Sequence, residues 1–317
     1  MKRKTILITG GLGFVGGRIT KRLALEHDVI VSSRKPVPFE TVKIHGNLGF
    51  VLHSELFQPS TFPKEIETII HLAALNEHDC LKYPSEAIRV NIDQTRIILE
   101  NAVTSGVKNF IYFSTAHVYG SPLVGEITEN TLPVPIHPYA ITHKAAEDYV
   151  IAATLQKKIN GIVIRLSNSF GTPVLPDVNR WTLLANDLCR QAIEKGSLTL
   201  LSNGCQYRDF VCLSDVEEVI ETILNSPKDF KKMIYNLGAG KSMRVIDMAN
   251  AIVSEYSNLF SKELPINLPK GIAATDEPLL TFSIDRLLQE GCVINNDVTT
   301  ELRELLTFCH QHFSKLD

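Results

Sequence analysis

Residues 10–16, Gly-Gly-Leu-Gly-Phe-Val-Gly, carry the most pointed chemistry in the chain. They read as Gly11-x-Gly13-x-x-Gly16 or as Gly10-x-x-Gly13-x-x-Gly16, and the physics is the same in both. A buried, β-branched run from Thr5 to Thr9 ends in a turn that needs glycine's backbone freedom, and an amphipathic helix opens directly behind it. The missing side chains let the backbone approach a pyrophosphate. The helix N-terminus presents unpaired N–H groups and partial positive charge to the phosphates. Gly10, Gly13, Phe14, Val15 and Gly16 are therefore expected to hold a dinucleotide.

The choice of dinucleotide falls about 20 residues further on, where an acid would grip the ribose hydroxyls and reject a 2′-phosphate. The sequence there is Ser32-Ser33-Arg34-Lys35, and Asp28 lies at the wrong end of its strand. Arg34 offers a planar fork to a 2′-phosphate with Ser33 assisting, which favours NADP over NAD. Further on, Asn47 and Leu48 stand where a polar group can reach the adenine edge. Leu72, Ala73 and Ala74 follow a strand end where small residues let a flat cofactor lie against the backbone.

The elements that must position these residues alternate. Strands are expected at Thr5–Thr9, Asp28–Ser33, Thr41–Ile44, Glu67–His71, Asn109–Ser114 and Ile162–Leu166, and helices at Phe14–Glu26, Pro84–Ser105 and from Pro138 onward. This βαβ spacing argues for an α/β, Rossmann-type, doubly wound parallel sheet. The chain divides into a dinucleotide-binding part at 1–170 and a smaller, mainly substrate-binding part at 171–317, with re-entry into the first around 205–240. The later elements are a mobile loop at Pro173–Arg180, a helix at Trp181–Lys195, a helix Val216–Leu224 capped by Asp215, and an amphipathic helix at Thr299–Phe313.

Composition narrows the class. The chain has 317 residues, 44% hydrophobic and 21% charged, with a net charge of −3. Those values suit a globular protein with a real core and give no nucleic-acid or membrane surface. No apolar run reaches the ~18 residues of a membrane span. The basic start and short apolar run lead into the glycine loop and read as a first strand, not a leader. Six cysteines without paired spacing read as free thiols of a cytoplasmic protein, and no zinc-ligand spacing is present.

Hydroxyls gather at Ser114-Thr115-Ala116-His117-Val118-Tyr119, at the carboxyl end of the fifth strand, where parallel sheets bind ligands. With PYAITHKAAE next, the chain resembles the extended short-chain dehydrogenases/reductases of the nucleotide-sugar epimerase/dehydratase branch. The matching pieces are TGGLGFVG, HLAA, Asn91 in RVN, FSTAHVYG, PYAITHKAAE, RLSNSFG, QYRDFVCLSDV and YNLGAGKSM, in the family's order over nearly the whole chain. The resemblance implies that Thr115 and Tyr139 flank the oxidised sugar carbon and that Ser114 and Asn91 belong to the cofactor side. It places Asn168, Asn179 and Arg208 toward a nucleotide-diphosphate sugar, and it implies a homodimer.

Two departures matter. The family's lysine, four residues after the tyrosine, is replaced by His143. Lys144 at plus five points well over 100° away from that face and is expected to pair on the surface with Asp148 or Glu147. The dehydratases of the family carry an Asp-Glu pair after the threonine, and here those positions are Ala116 and His117, which argues against 4,6-dehydration. Hydride transfer at C4 remains, as a 4-epimerase with retained NAD or as a 4-keto reductase using NADPH. The alternative is a non-catalytic NAD(P)-binding protein, motivated by His143.

Overall fold

The computed structural model describes residues 3–37, 42, 44–269 and 277–314. Among them, seven parallel strands build the central sheet: β1 (Thr5–Thr9), β2 (Asp28–Ser33), β3 (Leu48–Leu52), β4 (Thr68–His71), β5 (Asn109–Thr115), β6 (Asn160–Leu166) and β7 (Ile234–Leu237). Their order in space is β7-β6-β5-β4-β1-β2-β3. β4 and β5 are buried along their whole length, as strands covered on both faces must be. This is the Rossmann-type doubly wound sheet that the βαβ spacing predicts.

Seven helices matter for the site: α1 (Phe14–Leu23), α2 (Thr95–Thr104), α3 (Pro138–Leu155), α4 (Leu184–Lys195), α5 (Leu213–Asn225), α6 (Val245–Phe260) and α7 (Val298–Phe313). α1 and α5 cover one sheet face through Ile19, Leu23, Val216, Ile220 and Ile223. α2 and α3 cover the other through Ile98, Leu99, Ala146 and Val150. α4, α6 and α7 close a separate core around Leu188, Met248, Ile252, Leu302 and Leu305.

The order of the strands reverses between β1 and β4, so the crevice above their carboxyl ends is where a ligand can enter. The register aligns those ends, with Thr9 beside Ser32 on one side and His71 on the other.

The structure revises four expected elements. Thr41 and Lys43 of the expected third strand lie outside the described residues, and the strand beside β2 is Leu48–Leu52. The helix expected across Pro84–Ser105 contains a π-helical turn, Ile88–Gln94, before α2. Asp215 lies inside the first turn of α5 and accepts from the N–H groups of Asn295 and Asn296 instead of capping its own helix. The Pro173–Arg180 loop is packed down: Val178 is buried against Phe14 and Leu213.

Candidate active site

The glycine turn fits a dinucleotide's phosphates on its own geometry. Gly10 adopts φ +70°, and its amide neighbourhood is crossed by Leu72 and Ala73, which a Cβ would meet at 3.0 Å. A Cβ on Gly16 would lie 2.2 Å from the Gly10 carbonyl oxygen, so only glycine permits this approach. Gly13 caps α1 without a side-chain hydrogen bond, and the first turn holds no acid. The helix N-terminus thus keeps its N–H groups and its positive end for an anion. Phe14 is buried in the core beside Val178, so only its backbone serves the turn, and Val15 is half-buried. Across the crevice the Ser114 hydroxyl is buried with no hydrogen-bond partner. An orphaned donor there suits a polar ligand group.

A chain of hydrogen bonds ties this cradle to α3. Thr9 Oγ1 accepts from the N–H groups of Leu72 and Ala73, both at 3.2 Å, so its proton goes to His71 Nδ1 at 2.9 Å. His71 Nε2 then donates to Thr95 Oγ1 at 2.9 Å, and Thr95 donates to the Asn91 carbonyl at 2.8 Å. Asn91 accepts from Leu75 N–H at 2.8 Å and donates to Thr142 Oγ1 at 2.9 Å, and Thr142 donates to the Tyr139 carbonyl at 3.0 Å. Burial lowers the His71 pKa to about 3, which keeps the imidazole neutral in this chain. The π-helical turn brings Asn91 into line, and its amide is spent on Leu75 and Thr142. Asn91, expected on the cofactor, therefore positions the protein behind it.

Tyr139 stands at the second position of α3, after Pro138 at the first. Its N–H donates to the His137 imidazole at 3.2 Å, and its carbonyl accepts from Thr142 and from His143 Nδ1 at 2.9 Å. The backbone is held from both ends, and the phenol enters a cavity of about 140 Å³ lined also by Glu77, His117 and His137. Thr115 ends β5 behind that cavity and accepts from His117 N–H at 3.2 Å. His143 packs its ring 4.2 Å from the Tyr139 ring. Its Nδ1 proton is engaged, so the neutral ring leaves Nε2 as an acceptor. Burial lowers the His143 pKa to about 4, against the Tyr139 carbonyl that raises it. Burial raises the Tyr139 phenol, against the charge of Arg180, which lowers it. Lys144 lies on the outer face and pairs with Asp148 at 2.5 Å.

The remaining expected residues separate. Ser33 ends β2 and Arg34 follows it, exposed at the carboxyl edge, where its charge acts on His53. Asn47 and Leu48 lie at the opposite edge: Leu48 pairs with Val29, and Asn47 Nδ2 donates to Asp28 at 2.8 Å. In a parallel sheet that edge is a full strand length from the glycine turn, so neither reaches the cofactor crevice. Asn168 donates to the Asp209 carbonyl at 3.0 Å, which locks it to the strand carrying Arg208. Asp209 is engaged by Ser167 and by Ala239 N–H, which leaves Arg208 half-buried and unbridged to it. Asn179 is exposed, and the charge of its neighbour Arg180 favours the ionised Tyr139 phenol. Glu77 and His137 went unnoticed in the sequence, since one opens a six-residue helix and the other caps α3, positions that carry no periodicity. Among the described residues, no group of three or more His, Cys, Asp or Glu could hold a metal ion, and no helix is long and apolar enough to cross a membrane.

The family model for the NAD dependent epimerase/dehydratase family matches residues 6–238. The chain belongs to that family. UDP-arabinose 4-epimerase 1 of Arabidopsis thaliana is 26% identical over 279 residues, covering 78% of this chain and 66% of that protein. The chain thus matches just under two thirds of that relative's length. The dTDP-D-glucose 4,6-dehydratase of Mus musculus is 28% identical over 266 residues, covering 79% of this chain and 72% of the relative. Among solved structures, the UDP-glucuronic acid 4-epimerase from Bacillus cereus, in complex with UDP-glucuronic acid and NAD, shares the fold. Its TM-score is 0.77 at 22% identity, over 97% of this chain and 99% of that one. Membership in the family agrees with the glycine turn and the Tyr139 helix already described.

Proposed function

We propose that the chain is an NAD(P)-dependent oxidoreductase acting at C4 of a nucleotide-diphosphate sugar, as a 4-epimerase or a 4-keto reductase. The observation that carries this reading is the Tyr139 phenol, held at the start of α3 by three backbone hydrogen bonds and turned into the cavity beside His117. Gly10, Gly13, Gly16 and Ser114 hold the dinucleotide. A bound nicotinamide supplies hydride transfer. Tyr139 takes the proton of the C4 hydroxyl as hydride leaves and returns it when the carbon is reduced again. Thr115 hydrogen-bonds that oxygen, and His143 Nε2 accepts from a ribose hydroxyl. Arg208 and Asn168 face the diphosphate.

Ala116 and His117 supply no carboxylate pair next to Thr115, which argues against 4,6-dehydration even though one relative is named a dehydratase. Arg34 at the end of β2, with Ser33 beside it, favours NADP. Arg34→Ala is expected to weaken NADPH binding at least tenfold and leave NADH binding unchanged, read by fluorescence titration. Exposed Leu81, Tyr83 and Ile88, with Ile141 and Tyr149 of α3, give an apolar face for pairing with a second copy.

The second reading, a dinucleotide-binding protein without turnover, has one observation in its favour: the neutral His143 cannot give the phenol a charge. The deciding experiment is to denature the purified protein and identify the released dinucleotide by mass spectrometry. Stoichiometric NAD⁺ supports the epimerase. NADP(H), or empty protein that titrates tightly with NADPH and consumes it with a 4-keto sugar nucleotide, supports the reductase. Binding of neither cofactor would overturn both.

A further inference from the structure

Resting on the proposed reaction at Tyr139, we infer that Glu77 selects the sugar. The cavity beside the phenol takes a nucleotide sugar whose ring carries neutral groups and turns away one that carries a carboxylate. That cavity, of about 140 Å³, is lined by Tyr139 with Glu77, His117, Ser121, Ile136 and His137. Its wall holds one carboxylate and neither a lysine nor an arginine.

Hydrogen bonds fix Glu77 in that wall. It opens the short helix Glu77–Lys82, whose cap, Asn76, accepts from Asp79 N–H at 2.9 Å and donates to the Asp79 carboxylate at 2.7 Å. Just ahead of the cap, Leu75 N–H donates to Asn91 Oδ1 at 2.8 Å, and Asn91 Nδ2 donates to Thr142 of α3 at 2.9 Å. Cys80, on the same short helix, is fully buried and donates to the Leu75 carbonyl at 3.4 Å. Asn91 thus ties the short helix to α3, and Glu77 and Tyr139 become walls of one cavity at a fixed spacing.

The charge of Glu77 is left uncancelled. Asp79 is tied to the cap, and the Lys82 ammonium lies over the Tyr83 ring, 5.1 Å from its centre. Among the described residues, the Glu77 carboxylate forms no hydrogen bond and no ion pair. Its charge is felt within the cavity: burial lowers the His117 pKa and Glu77 opposes that, while burial raises the Tyr139 phenol and Glu77 adds to it. Arg208 and Arg180 also act on His117, but neither lines the cavity. His137 supplies the complementary donor. Its Nδ1 accepts from Tyr139 N–H at 3.2 Å, and an imidazole that accepts there carries its proton on Nε2. A carboxylate accepts hydrogen bonds and gives none, so it meets a sugar hydroxyl well and a second carboxylate badly. Glu77 is exposed to solvent as well as to the cavity, which screens its charge in part.

The test compares UDP-glucose with UDP-glucuronic acid, which differ only in the oxidation of C6. Each is titrated by calorimetry into wild type, Glu77→Gln and Glu77→Lys, all saturated with whichever of NAD⁺ and NADP⁺ they bind. Wild type is expected to bind UDP-glucose at least about tenfold more tightly, the scale of one partly screened like charge. Glu77→Gln keeps the shape without the charge and should bring the ratio below about threefold, chiefly by tightening UDP-glucuronic acid. Glu77→Lys should reverse the order. Added salt should narrow the wild-type ratio and leave that of Glu77→Gln in place. A wild-type ratio near one, or a ratio that Glu77→Gln does not change, would overturn the proposal and leave the reaction at Tyr139 standing. Binding of neither sugar nucleotide would overturn the proposal and the functional reading together.

Discussion

Helix α3 carries two buried polar centres one turn apart, and they are built on opposite rules. At Glu147 the carboxylate takes two hydrogen bonds from Arg165, at 2.9 and 2.7 Å. The guanidinium carbon lies 4.7 Å from the centre of the Tyr119 ring, and Tyr119 is held in turn by Asn236 at 2.7 Å. Charge there is cancelled within the fold. At Tyr139 and His143 no carboxylate forms an ion pair, the imidazole is neutral, and burial, with Glu77 across the cavity, pushes the phenol up. The first centre bolts α3 to β6. The second leaves a proton that can move. Buried ionisable groups whose charges cancel serve architecture, whereas an uncancelled group facing an open crevice is available for chemistry.

Removing one half of the balanced centre should have the largest effect. Glu147→Ala strands the Arg165 guanidinium in the core and is expected to cost about 3–5 kcal/mol, seen as a lower urea midpoint at unchanged slope. A cost below about 1 kcal/mol would reduce the pair to the standing of a surface bridge and erase the contrast.

The unbalanced centre should announce itself through pH. His143 is neutral in the fold down to about pH 4, while an exposed imidazole takes its proton near 6.5. Between those values the unfolded chain binds the proton and the native chain does not, so this residue makes stability fall as pH drops through that window. His71, neutral down to about 3, adds a loss of the same sign. Asp209, raised by burial to about 6, opposes both between about 6 and its ordinary value, because the native carboxyl is protonated first. His143→Gln isolates one contribution. From pH 7 to pH 4 wild type should lose on the order of 3 kcal/mol more than the variant. Equal losses would mean that the native imidazole is charged and the centre is not neutral.

A smaller effect is expected between the two. Asn91→Ala leaves Leu75 N–H unpaired and Thr142 without its donor, at about 1–3 kcal/mol. It should also lower kcat through a looser Tyr139, with cofactor affinity kept. A loss of cofactor affinity at unchanged kcat would return Asn91 to the cofactor side.

Much of this was legible in the sequence because it rests on local rules. The glycine turn, the strand ends and the alternation of β and α follow from backbone freedom and periodicity, and the structure reproduces β2 residue for residue at Asp28–Ser33. The outward turn of Lys144 followed from helical spacing alone. The misplacement of Asn47 shows the limit. A turn signal at Gly46-Asn47 says that the chain bends, but which sheet edge it reaches depends on the register of β3, fixed by pairing with β2. Asn91 came from the resemblance alone, and its partners Leu75 and Thr142, sixteen and fifty-one residues away in sequence, are brought to it only by the fold. Asn179 sits in a loop, where no period says which way a side chain turns; the structure leaves it exposed beside the buried Val178.

The most direct test follows a UDP-sugar deuterated at C4 through wild type and Tyr139→Phe, each supplied with NAD⁺, by NMR of the sugar product. For the reductase branch, NADPH carrying deuterium at C4 is used with a 4-keto sugar nucleotide. The account predicts deuterium at C4 of an inverted or reduced sugar from wild type. It also predicts a rate at least about 100-fold lower in Tyr139→Phe, with the dinucleotide still bound. A 4-keto-6-deoxy product, or a Tyr139→Phe rate near that of wild type, would contradict it.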